Sequence, residues 1–297
     1  AGGDGARPRQ KLTGGTRDNA PRWSPDGRRL AFVRSVEKDG RAQPSQVFVM
    51  SMEGGEARAI TEVPRGAGNP QWSPDGKRIA FSSNANAEDI RKAEEEKKKK
   101  EATPEADEKS QKQEAEDEKD GENKPRESDV RVITRAVYRA NGVADFGYVD
   151  PDRPSHIWTV EVPDPAAPLP TPTQVTSGEF AENNFQWSPD GTRIFFVSNR
   201  VKESYYFPND SDLYSIPAGG DPREPVKVVS IDGTISDYAF APDGKRIAFV
   251  GTLHGTPVRS HSQADLWVMD LGAGAPRNLT AAYDFDIDGG LGGDQRA

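Results

Sequence analysis

The chain contains no cysteine. Disulfides, thiolate nucleophiles and Cys-ligated zinc are therefore excluded. Histidine is nearly as scarce: His156, His254 and His261 are the only imidazoles in 297 residues. No apolar run reaches the roughly 18 residues that a membrane-spanning helix requires, so no membrane partner is expected. Basic residues are outnumbered, 39 Lys and Arg against 48 Asp and Glu, for a net charge of −9. Nucleic acid selects Lys/Arg surfaces, and this balance offers no footprint for it. The opening AGGDGARPRQ has neither Met nor a hydrophobic signal segment, which leaves the compartment open between cytoplasm and periplasm.

Much of the negative charge lies in one stretch. Residues 88–127 hold 16 acidic and 11 basic side chains among 40, so the remaining chain is close to neutral. A segment this polar buries too little apolar surface to offset its ordering entropy. Residues 86–128 are expected to be a charged, disordered insertion, although Glu and Lys at helical spacing at its start also suit a solvated helix.

What the sequence does have is a repeat. PRWSPDGRRLAF (21–32) returns as PQWSPDGKRIAF (70–81), FQWSPDGTRIFF (185–196) and YAFAPDGKRIAF (238–249). In Ser24-Pro25-Asp26-Gly27 each residue suits a type I turn: Ser accepts at the first position, Pro presets φ at the second, and Gly closes the turn. β-prone segments flank it, so the unit is a hairpin. A third apolar segment follows each copy (46–55, 156–165, 212–220, 265–274), and a fourth ends near Thr or Ser (56–62, 171–177, 224–230, 275–281). The signature aromatics Trp23, Trp72, Trp187 and Phe240 are spaced by 49, 115 and 53 residues, the long interval holding the insertion.

Four-stranded units of about 40–50 residues indicate an all-β fold, a β-propeller. The blades are placed at about 20–62, 69–177, 184–230 and 237–281. Residues 7–15 (RPRQKLTGG) resemble only the fourth-strand segments and read as an orphan outer strand of a further blade. The expectation is four complete blades of a larger ring.

WSPDGKRIAF with its following strand and LT-type ending resembles the TolB-type propeller repeat. VRVITRAVYRANGVADFGYVDPDRPSHIWTVEV (130–162), FFVSNR (195–200) and NLTAAYDFDIDGG (278–290) narrow this. Together they resemble the N-terminal propeller of the prolyl oligopeptidase family of serine peptidases, in its acylaminoacyl-peptidase and dipeptidyl-peptidase-like branch. The resemblance implies a ring of about seven blades capping an α/β-hydrolase domain that carries the Ser-His-Asp triad, here expected downstream of Ala297. It also implies peptide or acyl-peptide substrates, with the propeller restricting access.

The residues themselves supply no chemistry of their own. No G-x-S-x-G nucleophile elbow occurs, and GTISD (233–237) spaces Gly and Ser wrongly. His156 opens a third strand and reads as a packing or hydrogen-bonding residue; His254 and His261, seven apart in one loop, do not make a metal pair by spacing. Asp284, Asp286 and Asp288 before Gly289 begin like a calcium loop, but its twelfth position is Gln295, which favours an acidic turn. No cofactor and no metal are expected, and nothing converges as a lyase or lactonase propeller would need. The long, dissimilar loops between second and third strands are where partner contacts concentrate on a rigid scaffold. Among their residues Tyr205, Tyr206, His254 and Arg259 are the candidates for substrate gating or contact with the hydrolase domain. The competing reading is a stand-alone TolB-like propeller that binds protein.

Overall fold

The strands begin where the repeat places its turns. In the first copy Ser24 Oγ donates to Asp26 Oδ1 (2.6 Å) and accepts from the Arg29 N–H (2.9 Å), while the Gly27 N–H closes the turn on the Ser24 carbonyl (2.9 Å). Gly27 sits at φ 68°, a left-handed conformation that glycine adopts without a Cβ clash. Asp26 Oδ1 also accepts the Arg28 N–H. The same set recurs at Ser73 and Ser188. In the fourth copy Ala241 has no hydroxyl, and only the Gly244-to-Ala241 and Lys245-to-Asp243 bonds remain. The Ser hydroxyl, and after it a backbone N–H, holds Asp26, Asp75 and Asp190 below the usual carboxylate range.

The computed structural model describes residues 12–15, 17–38, 40–102, 133, 150, 152–164, 166–202, 204–206, 210–219, 224–255, 262–272, 274–283 and 287. These form four antiparallel sheets of four strands each, every one a simple meander. The first holds β1 (Asp18–Trp23), β2 (Arg29–Arg34), β5 (Gln46–Ser51) and β6 (Arg58–Ala59), with a small hairpin of β3 (Glu37–Lys38) and β4 (Arg41–Ala42) between β2 and β5. The second holds β7 (Gly68–Trp72), β8 (Arg78–Ser83), β9 (His156–Glu161) and β10 (Thr173–Gln174). The third holds β11 (Asn183–Trp187), β12 (Arg193–Ser198), β13 (Asp212–Pro217) and β14 (Val226–Val229). The fourth holds β15 (Gly233–Phe240), β16 (Arg246–Leu253), β17 (Ala264–Asp270) and β18 (Arg277–Asn278). These are the blades of a β-propeller.

Two expectations bear on the chain outside the sheets. Ala87–Ala102 is an α-helix, α1, at the start of the insertion, where the Glu and Lys spacing also suited one. Its start explains why: the Asp89 N–H bonds to Asn86 Oδ1 and the Asn86 N–H to Asp89 Oδ2, a reciprocal cap that satisfies two end donors. Residues 103–132 lie outside the described residues. Of the orphan strand 7–15, residues 12–15 take no strand conformation and the others are outside the described set; a strand exists only with a hydrogen-bonding neighbour.

The cores lie between blades, not within them. Side chains alternate along a strand, so one strand feeds two cores. In β12, Ile194 and Phe196 join Phe185, Trp187 and Ile157 of the second interface, while Phe195 and Val197 join Tyr238, Ile247 and Phe249 of the third. The first interface packs Ala31 and Val47 against Ile79, Phe81 and Trp158.

The signature tryptophans bond these interfaces. Trp72 Nε1 donates to the Arg22 carbonyl and Trp187 Nε1 to the Gln71 carbonyl, both at 3.0 Å; each acceptor stands just before the preceding blade's tryptophan. Arg29 lies over the Trp72 ring at 5.1 Å and Arg78 over Trp187 at 4.8 Å. The turns also stack, Gly76 beside Pro25, Gly191 beside Pro74 and Gly244 beside Pro189. Phe240 has no N–H. The third interface uses Tyr238 instead, whose hydroxyl donates to the Phe195 carbonyl at 2.9 Å.

Each of the first three inner strands carries a bulge three residues before its tryptophan, at Ala20, Asn69 and Asn184, all with φ near 50°. Asparagine tolerates this region, whereas alanine is strained by roughly 1–2 kcal/mol. Ala20→Asn should therefore stabilise the chain by about 1 kcal/mol, read as a higher urea midpoint with an unchanged slope.

The turns give a second prediction. Ser73→Ala or Ser188→Ala should cost about 1 kcal/mol and raise the pKa of Asp75 or Asp190 toward the ordinary carboxylate value, seen by carboxyl NMR titration. The sign follows from the depressed pKa: this contribution is present at neutral pH and is lost as pH falls through the folded-state value, below the ordinary 3.8.

Candidate functional site

A meander sends its turns to alternate ends. The Ser/Ala-Pro-Asp-Gly turns therefore occupy one rim of the row of blades. The loops between second and third strands, with those joining successive blades, occupy the other. The first rim repeats one turn, beside the loops between third and fourth strands. The second does not repeat.

On the loop rim between the second and third blades lies a buried polar network. Glu182 precedes β11 and its side chain is fully buried. Its Oε2 stands 2.8 Å from His156 Nδ1 and accepts from Thr176 Oγ1 at 2.7 Å, while Oε1 accepts from Arg200 Nη2 at 3.1 Å. His156 opens β9, Thr176 follows β10 and Arg200 follows β12, so the network ties two blades together. The Arg200 guanidinium stacks 4.8 Å from the Tyr214 ring, and its Nε is buried without a hydrogen-bond partner. His156 is thus the hydrogen-bonding residue that its place at a strand start suggested. Glu182 and Arg200 were not singled out from sequence; charged residues beside the apolar runs of FAENNFQW and FFVSNR were the available signal.

The next junction carries a different cluster. Asp210 and Asp212 stand at the start of β13, Asp232 before β15, and His254 after β16. Lys227 Nζ lies 2.5 Å from Asp212 Oδ2, and the His254 N–H donates to the Asp232 carbonyl at 2.8 Å. Asp210 Oδ1, Asp212 Oδ1 and His254 Nε2 are all buried with no hydrogen-bond partner. Burial, and after it the charge of Asp212, pushes the Asp210 carboxyl up. The bond to Asp212 raises the Lys227 ammonium in the opposite, stabilising sense. Two carboxylates with spare acceptors beside an imidazole suit a hydrogen-bond donor. Among the described residues, no three His, Cys, Asp or Glu are grouped so as to hold a metal ion.

The predicted residues fall as follows. Tyr205 and Tyr206 lie in a short 3-10 turn, Ser204–Tyr206, between β12 and β13, and the Tyr206 side chain is 70% exposed. His254 begins the corresponding loop of the next blade. Asp210, at the end of the first loop, feels the charge of His254, so the structure brings the two loops together. Arg259 and His261 lie outside the described residues, as do Asp284, Asp286 and Asp288.

The charged insertion leaves from the same rim. Arg153 Nε and Nη2 contact both oxygens of Asp89 (3.0 and 3.2 Å), and Nη1 reaches Asp150 at 2.7 Å. Residues 64 apart in sequence thereby clamp the two ends of the segment between β8 and β9. Burial raises the Asp89 carboxyl, but the Arg153 guanidinium and the Asn86 N–H outweigh it and leave it lowered. No helix among the described residues is long and apolar enough to cross a membrane.

Removing one partner from a buried ionic network leaves the others uncompensated. Glu182→Ala should destabilise the chain by about 3 kcal/mol in urea unfolding, and Glu182→Gln by less.

No protein-family model matches the chain. A curated relative, the uncharacterised peptidase YuxL of Bacillus subtilis, is 51% identical over 53 residues, which is 18% of this chain and 8% of that protein. Among solved structures, a mutant of puromycin hydrolase shares 13% identity over 88% of this chain and 30% of its own, with a TM-score of 0.50. TolB from Acinetobacter baumannii shares 15% over 88% of this chain and 43% of its own, with a TM-score of 0.48. The chain spans well under two thirds of each of these proteins. At these structural identities the likeness is one of fold. The propeller fold read from the sequence is present in the structure.

Proposed function

We propose that this chain is the non-catalytic propeller segment of an acylaminoacyl-peptidase-like serine peptidase. In this reading it scaffolds a separate α/β-hydrolase domain and gates the approach of peptide or acyl-peptide substrates. The observation that carries the reading is the division of labour between rims. One rim carries the repeated turn, beside the loops between third and fourth strands. The other gathers dissimilar loops with exposed Tyr206, the half-buried His254 and unpaired polar groups. Rigid blades with variable loops on one rim are the arrangement that contacts partners. The 51% match over 53 residues to a peptidase supports the same direction. Tyr205, Tyr206, His254 and Arg259 face the hydrolase domain or line the substrate's path in this reading.

The test uses the product of the complete gene alongside the 297-residue chain. A fluorophosphonate serine probe should label the former at a serine outside these residues and leave the latter unlabelled. Tyr206→Ala and His254→Ala in the complete product should reduce its discrimination between short acyl-peptides and long polypeptides several-fold, with far-UV circular dichroism unchanged. A complete gene product that the probe does not label sinks the peptidase reading and favours a stand-alone protein-binding propeller.

A further inference from the structure

The Asp-Gly steps of the four repeated turns share one geometry and differ in one donor. In each, the glycine N–H donates to the carbonyl of the turn's first residue, at 2.9 Å for Gly27, Gly76 and Gly244 and 2.8 Å for Gly191. In each, the aspartate Oδ1 accepts the N–H two residues on, at 3.0 or 3.1 Å. The four glycines lie at φ of 67° to 70°, and the four aspartates are all exposed. What differs is the second donor. Ser24, Ser73 and Ser188 hold Oγ 2.6 Å from Oδ1 of Asp26, Asp75 and Asp190, and Thr192 Oγ1 adds a further bond to Asp190 at 2.9 Å. Ala241 has no hydroxyl, and Asp243 keeps only the Lys245 N–H.

An aspartate followed by glycine can react with its own backbone, because glycine has no side chain to shield the nitrogen. The glycine nitrogen bonds to the aspartate Cγ and closes a five-membered succinimide. The amide proton passes to solvent, and the carboxyl hydroxyl leaves as water. Water then adds back at either ring carbonyl. Opening at Cγ restores aspartate; opening at the main-chain carbonyl gives isoaspartate, whose main chain runs through Cβ and Cγ. Nothing is oxidised or reduced. Ring closure needs a carboxyl that can turn toward the nitrogen and that is neutral, since a carboxylate has no hydroxyl to lose. A serine hydroxyl opposes both. It pins Oδ1, and by donating to the charged form it favours ionisation; it is the first cause holding Asp26, Asp75 and Asp190 below the usual carboxylate range.

We propose that Asp243–Gly244 is a modification site that converts to isoaspartate in the folded chain ahead of the other three turns, because no hydroxyl restrains its carboxyl. The functional reading above has no bearing on this, and neither does what lies beyond either end of the sequence. Asp26, Asp75 and Asp190 stay exposed although another blade follows each of them, and the missing hydroxyl is a property of Ala241 itself. A fifth Asp-Gly step among the described residues, Asp232–Gly233, is held differently. Gly233 is buried, pairs with Leu253, and a Cβ on it would run into the Thr252 carbonyl, so its main chain is fixed against β16. Isoaspartate at 243 would insert a methylene into the turn closed by the Ala241 N–H to Arg246 carbonyl and Gly244 N–H to Ala241 carbonyl bonds. It would also leave a free α-carboxylate, the group on which an isoaspartyl carboxyl methyltransferase acts.

The test holds the 297-residue chain for several weeks in warm, mildly acidic buffer. Each turn peptide is then mapped by electron-transfer fragmentation, which distinguishes isoaspartate from aspartate. Asp243 should convert roughly threefold faster or more than Asp75 and Asp190, as expected for the loss of one hydrogen bond to a charged group. Ala241→Ser restores the hydroxyl and should slow Asp243 to the rate of Asp75. This arm removes no contact, so its outcome does not hinge on a weakened fold. In urea, where the turns are not formed, all four steps should convert at similar rates. An Asp243 no faster than the others in the folded chain overturns the proposal. So does an Ala241→Ser chain with an unchanged rate, or an Asp243 that leads in urea as well.

Discussion

The hydrogen bond from an interface indole to the carbonyl just before the neighbouring blade's tryptophan is the constraint on which the other contacts depend. A buried Trp N–H usually finds an acceptor, although Trp158 Nε1 has none, and a backbone carbonyl can accept only where its strand places it. Trp72 and Trp187 each find that carbonyl at 3.0 Å. The strand carrying the acceptor is fixed in turn by the Ser-Pro-Asp-Gly turn immediately after it. The turn therefore does two things at once. It pairs a hairpin within a blade, and it sets the height at which that blade can be joined to the next.

The fourth blade shows that the geometry outlasts its usual chemistry. It lacks both the turn hydroxyl, at Ala241, and the indole, at Phe240. Side chains of the third blade and of β15 take over: Gln186 donates to the Tyr238 carbonyl, Asn184 to Asp237 Oδ1, and the Tyr238 hydroxyl to the Phe195 carbonyl. Burial pushes the Tyr238 phenol up, so it stays a neutral donor across the physiological range. Phe240 meets Phe195 edge-on at 4.9 Å, replacing a hydrogen-bonded contact with an aromatic one. The spacing between blades survives because several weak contacts can substitute for one specific contact.

What the sequence made legible was local. Four turns, the strands around them and the division into four units follow from residues within a dozen positions of one another. That successive side chains of each strand feed two opposite faces was also readable, since any strand does so. Which blade each face meets was not, because that is decided by the next repeat. The network of His156, Thr176, Glu182 and Arg200 was hidden for the same reason, since its members span two blades and 44 positions of chain. The strain at Ala20 was invisible because alanine carries no turn signal, whereas Asn69 and Asn184 at the equivalent bulges do. For the insertion, composition argued for a loop as a whole, while the cap formed by Asn86 and Asp89 decides its first sixteen residues locally.

The two rims differ most in how fully they satisfy their polar groups. On the turn rim the Ser, Asp and Gly of the repeat pair with each other in the first three copies. Among the described residues, four of the buried side-chain atoms without a partner, Arg200 Nε, Asp210 Oδ1, Asp212 Oδ1 and His254 Nε2, belong to the loop rim of the last two junctions. An unpaired buried polar atom costs about 1–3 kcal/mol. On the loop rim of the first junction Gln46, Thr61 and the Val63 backbone are bonded to one another, while Trp158 Nε1 in the core of that interface is buried without a partner. The cost falls beside loops that are unlike one another, on a scaffold stiff enough to tolerate it. These unsatisfied atoms are the physical observation on which the proposed role of this rim rests.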